Sequence, residues 1–241
     1  LRSSCAIQMR DLAQELLRQG HQPIVIVPSE SIDKKWTNET IDGVNVFRLA
    51  AFKTINITFF RRAFNEVLLP FTMLYSIRKS DVPIKEFDAI VWYSPTIFFG
   101  PLISYLKKSS NCSSYLILRD MFPEWALDLG ILKKNPIYYF FKLVAKYQYS
   151  VADIIGVQSS SNLEYLKDWK KKPNRQLEVL NNWLTVSTKK ESSISLVETN
   201  LFGRKLFIYI GNMGVAQGMD ILIDLAENLQ YRKDIGFLFV G

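Results

Sequence analysis

The sequence predicts an α/β protein: an open parallel sheet wrapped by helices, then the first strand–helix–strand of a second domain of the same kind. Three observations predict it. Short apolar runs alternate with helix-like stretches from Asp88 to Leu180. Residues 184–202 break that rhythm with a connection rich in Ser, Thr, Lys and Glu. The rhythm then restarts at Lys205 with an apolar run, a glycine-rich turn and a helical pattern. The expected organisation is a first domain over 1–183, a linker over 184–202 and the start of a second domain over 203–241.

Taken in order, residues 4–19 place Ile7, Met9, Leu12, Ala13, Leu16 and Leu17 at helical spacing, and Gly20 is positioned to end that helix. His21 follows in the turn, where capping or packing the helix end is the simplest role. Strands are expected at 23–27 and 44–49, both buried as in a parallel sheet. Residues 51–79 interleave Phe52, Phe59, Phe60, Phe64, Phe71 and Tyr75 with Lys53, Arg61, Arg62, Arg78 and Lys79. Pro70 is expected to kink or divide this helix. The segment reads either as a core helix with a solvated basic edge or as a helix lying in a membrane interface. On the second reading Phe59, Phe60, Arg61, Arg62 and Phe64 face the lipid.

From Ala89 to Leu106 there is no charge, but Pro95, Gly100 and Pro101 divide the stretch. A buried strand at 88–93 and a helix at 96–108 are more economical than a membrane span. A strand at 115–118, helices near 123–129 and 136–150, a strand at 154–157, a helix ending near Trp169 and a short strand at 176–180 complete the domain. The run Lys170-Lys171-Lys172-Pro173 reads as a solvated loop.

In parallel sheets ligands bind beyond the C-terminal strand ends. Ser94, Arg119, Asp120, Ser159 and Asn182 stand there. Arg119 is expected to hold Asp120 ionised, and the pair reads as an ion pair organising the turn or as part of a site. Glu124 complements a helix dipole. Ser159 and Asn162 suit helix capping as well as ligand contact.

The second domain opens with the strand 206–210, then Gly211, Gly214 and Gly218, then a helix with Ile221, Leu222, Leu225, Ala226 and Leu229 on one face. A helix N-terminus carries about half an elementary positive charge and unpaired N–H groups, so it suits phosphate. The glycine spacing is neither the dinucleotide fingerprint nor the P-loop. An ordinary tight strand-to-helix turn is the plain alternative.

The net charge of +7 over 241 residues suits a phosphate-rich partner without choosing among nucleic acid, anionic lipid and nucleotide sugar. The two cysteines, Cys5 and Cys112, lack metal-type spacing and read as free thiols in a reducing compartment. No nucleic-acid motif and no Asp-x-Asp metal motif is present in the sequence.

Four motifs in order, RDMFPEWALDLG, ADIIGVQSSSNLEYL, VLNNW and IGNMGVAQG, resemble the family 4 glycosyltransferases of the GT-B fold. The likeness is greatest to bacterial enzymes of O-antigen and capsule assembly, in the L-fucosamine-transferase-like branch. The resemblance implies two Rossmann-like domains, the first lacking its opening strand and holding the acceptor, the second cut short and holding the nucleotide sugar. It implies retaining transfer from a nucleotide diphosphate donor to a lipid-linked saccharide at an anionic membrane surface, on the cytoplasmic face. No cofactor or metal is expected, and nucleic acid is not an expected partner.

Residue by residue, the resemblance puts Gly211, Asn212, Met213, Gly214, Gln217 and Gly218 at the donor diphosphate. It puts Ser94, Arg119, Asp120, Ser159 and Trp183 on the sugar or acceptor side, with Asp120 the candidate catalytic acid. Trp183 either stacks on a sugar or plugs a crevice. Many relatives carry Arg and Lys where Asn212 and Gln217 stand, so backbone amides are expected to take that load. The family's paired-glutamate E-x7-E segment is expected beyond Gly241, and the 241 residues alone are expected not to turn over. The competing readings are a nucleotide-sugar epimerase on the same fold and a basic module binding membrane or nucleic acid.

Overall fold

The computed structural model describes residues 4–54, 57–94, 96–185, 195–214 and 217–241, with only the backbone of Ser4 and Phe59. The expected lipid-facing role of the Phe59 side chain and the middle of the 184–202 connection therefore lie outside the described residues. The chain divides into two compact units, Leu1–Thr185 and Val186–Gly241.

The first unit opens with α1 (Ser4–Arg18). Gly20, at φ 90°, ends it, and the His21 N–H donates 3.0 Å to the Leu16 carbonyl. Next come β1 (Ile24–Ser29), β2 (Trp36–Ile41) and β3 (Val44–Ala50). β3 pairs parallel with β1 and antiparallel with β2. β2 is absent from the sequence reading. Its centre, Thr-Asn-Glu-Thr, shows no apolar alternation. The Asp42-Gly43 turn that joins it to β3 has positive φ at both residues, 48° and 81°, as a two-residue hairpin requires.

α2 (Phe59–Ile77) runs through Pro70 as one helix, so the expected division there does not occur. The rest of the unit is β4 (Ala89–Tyr93), α3 (Gly100–Ser110), β5 (Ser113–Leu118), α4 (Glu124–Asp128), α5 (Pro136–Val151), β6 (Ile154–Val157), a 3-10 turn (Ser160–Leu166), α6 (Lys167–Lys170) and β7 (Gln176–Val179). β4, β5, β6 and β7 form a wholly parallel sheet in that order.

One open sheet is the expectation, and the described residues of this unit form two. β1 and β4 each lie at a sheet edge. β1 is half-exposed rather than buried. A shared core still unites the unit: Leu49, Met73, Ile90, Leu116, Leu118 and Ile155 form one buried cluster, with Ile26 of β1 packed on it.

Gln148, wholly buried, fixes α5 to the turn after β4. Its Nε2 donates 2.8 Å to Ser94 Oγ, and its Oε1 accepts the Phe99 N–H at 3.0 Å. Gly100 makes the approach of α3 to α5 possible, because a Cβ there would lie 2.8 Å from the Tyr147 ring.

The second unit holds β8 (Lys205–Ile210), α7 (Met219–Asn228) and β9 (Ile235–Val240), with β8 and β9 parallel. Phe207 and Phe237 stack across the pair with ring centroids 5.5 Å apart. Leu222, Ala226 and Leu229 are half-buried, while Ile221 and Leu225 of the expected buried face are exposed.

Candidate functional site

In the first unit the C-terminal ends of β4, β5 and β7 converge with the start of α1. The parallel order delivers Tyr93, Arg119 and the 180–183 segment to one end of the sheet. Arg119 is 8% exposed, and one Nη donates to the Leu180 carbonyl at 2.5 Å. Its guanidinium lies 5.6 Å from the centroid of the Trp183 ring. Its Nε and other Nη are buried without a hydrogen-bond partner among the described residues. Two charged donors without acceptors are costly, at about 1–3 kcal/mol each.

α1 braces this end. The Trp183 indole N–H donates 3.3 Å to the Gln8 carbonyl, and Gln8 Nε2 donates 3.1 Å to Asn182. Trp183 thus has one edge tied to α1 and a face beside Arg119.

The expected pairing of Arg119 with Asp120 is corrected. No ion pair joins them among the described residues: the guanidinium turns to Leu180 and Trp183. Asp120 reaches solvent, yet desolvation by the crowded strand ends raises its pKa above the ordinary aspartate value. The shift is upward, the opposite of what a pairing with Arg119 would give. Tyr93, which the sequence reading passed over, belongs to this cluster. Its phenol is pushed up chiefly by burial, then by the nearby Cys5 and Asp120. Burial also raises the Cys5 thiol to about 11, which makes it a poor nucleophile at neutral pH. Cys5 and Cys112 are both free thiols.

Ser94 stands apart. It is buried, its hydroxyl donates 3.0 Å to the Thr96 carbonyl and accepts from Gln148, and these bonds hold the turn after β4. Ser159 is exposed and donates 3.2 Å to Asn162 at the head of the 3-10 turn. Of the residues expected on the sugar or acceptor side, the structure brings together Arg119, Asp120 and Trp183.

The glycine loop lies in the second unit. The Gly211 N–H continues the sheet by donating 2.9 Å to the Val240 carbonyl, and Tyr209 Oη donates 2.7 Å to the Asn212 carbonyl. Gly218 caps α7 at φ 59° and ψ 42°, the left-handed region that glycine adopts without penalty. Gln217 Oε1 accepts the Gly214 N–H at 3.1 Å, so this amide is already satisfied inside the loop. Asn212, Met213, Gly214, Gln217 and Gly218 are exposed. Asp220 in the first turn of α7 places a carboxylate near the same helix end.

On α2, Phe60, Arg61, Arg62 and Phe64 are exposed, and Arg62 donates 2.8 Å to Glu66. Among the described residues no helix is long and apolar enough to cross a membrane.

No protein-family model matches the chain. It is 28% identical over 133 residues to the Probable glycosyltransferase WbjE of Pseudomonas aeruginosa, a match covering 52% of this chain and 32% of that protein. The match thus spans about a third of the curated relative's length. Among solved structures it resembles sucrose-phosphate synthase from Thermosynechococcus elongatus, with TM-score 0.61, 11% identity, and coverage of 99% of this chain and 65% of that one. It also resembles UGT89C1 of Arabidopsis thaliana in complex with UDP-L-rhamnose, with TM-score 0.53, 14% identity, and coverage of 97% and 61%. These likenesses show the fold, which is that of GT-B glycosyltransferases.

Proposed function

We propose that the chain is part of a glycosyltransferase that takes a sugar from a nucleotide diphosphate and passes it to a lipid-linked saccharide in the assembly of a cell-surface polysaccharide. The observation that carries the reading is the strand–glycine loop–helix of the second unit, in a chain whose sequence is similar to a glycosyltransferase. The amides of Asn212, Met213 and Gly218 and the head of α7 would hold the diphosphate. They would stabilise the charge that develops on the departing nucleotide, a role oriented N–H groups perform without a metal.

Rotation of Gln217 away from Gly214 would release one further donor. Asp220 shares the helix end, so the affinity for a diphosphate rests on several amides together rather than on the dipole alone. In the first unit, Arg119 is buried under Trp183, and Asp120 is exposed at the same strand end. That set suits a saccharide: an aromatic face, and an exposed carboxyl that accepts hydrogen bonds from its hydroxyls. An amino-deoxyhexose as the transferred sugar is the finer reading implied by the family resemblance. The membrane side of the account rests on Phe60, Arg61, Arg62 and Phe64 of α2.

The test is nucleoside diphosphate binding by the 241-residue chain, measured by titration calorimetry against a panel of bases. Gly214→Trp inserts an indole into the exposed loop. It is expected to weaken binding about tenfold or more, the loss of one or two charge-assisted hydrogen bonds. Unchanged affinity overturns the diphosphate role of the loop.

A further inference from the structure

The surface of α5 carries a feature that sugar transfer does not use. Ile137, Phe140 and Leu143 recur at helical spacing and are all exposed, Leu143 to 68%, with Tyr139 beside them. The opposite side of the same helix is buried through Tyr138, Ala145, Gln148 and Tyr149. The helix is therefore fixed in the fold and presents a second apolar stripe outward. Leu129 and Ile131, also exposed, lead into it. Isolated exposed apolar side chains need no explanation, but a contiguous stripe of large ones marks a contact surface.

The charges carried from Gly130 through α5 are basic, with Asp128 just before that stretch. From Gly130 to Ala152 the chain has Lys133, Lys134, Lys142 and Lys146 and no acid. Lys142 faces Glu124 at 3.6 Å, and Lys146 lies near Asp168. Lys133 and Lys134, both exposed, have no carboxylate partner among the described residues and carry most of the surplus. Protein–protein interfaces are depleted in lysine. An apolar stripe with a tyrosine beside it and lysines at its head is instead suited to the boundary between acyl chains and anionic headgroups.

We propose that the exposed face of α5, with Lys133 and Lys134 at its head, is a docking surface for an anionic lipid bilayer. The stripe inserts at the level of the acyl boundary, and the two lysines meet the headgroup charge. The surface is separate from the α2 residues, and the inference goes beyond sugar transfer. Its test uses no sugar, so its failure leaves the glycosyltransferase reading untouched.

The experiment is co-sedimentation of the full chain with phosphatidylcholine vesicles and with vesicles containing phosphatidylglycerol. Binding is expected to the anionic vesicles and to weaken steeply with salt. Lys133→Gln with Lys134→Gln is expected to weaken it about thirtyfold, from about 1 kcal/mol per lysine at the surface. Phe140→Ser with Leu143→Ser, both at exposed positions where the fold is undisturbed, is expected to weaken it at least as much. Circular dichroism checks that each variant folds. Three results overturn the proposal: equal binding to neutral vesicles, variants that bind as the parent does while α2 variants do not, or a concentration-dependent dimer that the α5 variants abolish.

Discussion

Replacing Arg119 by Met tests whether this buried cation serves stability or a ligand. The substitution removes a charge-assisted bond to the Leu180 carbonyl, about 1.5–3 kcal/mol. It also removes a guanidinium–indole contact with Trp183, about 1 kcal/mol. Against these losses it removes two buried N–H groups without acceptors, about 1–3 kcal/mol each. Met has similar length and fills the space with apolar atoms. The opposing terms nearly cancel, so Arg119→Met is expected to leave stability within about 1 kcal/mol of the parent. Urea denaturation reads this as an almost unchanged midpoint at unchanged slope. A loss of 3 kcal/mol or more refutes the reasoning. It would mean the guanidinium is satisfied and structural, and that no donors wait there for a ligand.

Other perturbations probe neighbouring parts of the account. Asp120 has a raised pKa in the folded chain, so the folded state holds its proton more tightly. Its stability is greatest below the ordinary aspartate value and declines as pH rises through the folded value. Asp120→Asn should thus match the parent in acid and melt higher at neutral pH; the reverse order contradicts the desolvation. Burial works to raise Asp153, but hydrogen bonds from Lys107 and the Ser114 N–H together outweigh it and hold the carboxyl below the ordinary value. Asp153→Ala should cost about 1–2 kcal/mol at neutral pH. The difference should shrink as pH falls below the ordinary value and through the folded one, because the parent loses that stabilisation. At Gly156 in β6, a Cβ would lie well inside contact distance of the Tyr115 hydroxyl and 2.9 Å from Leu180 Cβ. Gly156→Ala should cost about 1–3 kcal/mol, and Tyr115→Phe should recover part of it; strict additivity in a double-mutant cycle would show that the two do not meet.

The first unit's rhythm was legible because parallel strands buried on both faces leave continuous apolar runs, and β5 and β6 read that way over 115–118 and Ile154–Val157, β5 itself starting two residues earlier at Ser113. β2 was missed because its Thr-Asn-Glu-Thr centre has no apolar period. The available signal was the Asp42-Gly43 pair, a hairpin turn sequence. Pro70 misled because a proline costs a helix one N–H and some steric strain, and tertiary burial of α2 through Leu69 and Met73 overrides that cost. At the site, Arg119 and Asp120 were found as polar residues at a strand end, but adjacency in sequence suggested a pairing that adjacency in space does not supply. Successive residues leaving a strand point to opposite sides, and Arg119 turns to Leu180 and Trp183. Tyr93 ends an apolar strand and reads as core, while the more polar signal comes from its neighbour Ser94, whose hydroxyl is engaged by Gln148. A glutamine 54 positions away has no local signature.

The claim that the glycine loop of the second unit takes the diphosphate is tested most directly by amide chemical shifts. In an NMR titration of the isotope-labelled chain with nucleoside diphosphates, the N–H resonances of Asn212, Met213, Gly214 and Gly218 are expected to move together and saturably. The Gly214 resonance should move as Gln217 releases it, and the unphosphorylated nucleoside should leave all four in place. If the loop resonances stay fixed while shifts cluster elsewhere, or if the nucleoside alone reproduces the shifts, the loop does not bind the diphosphate.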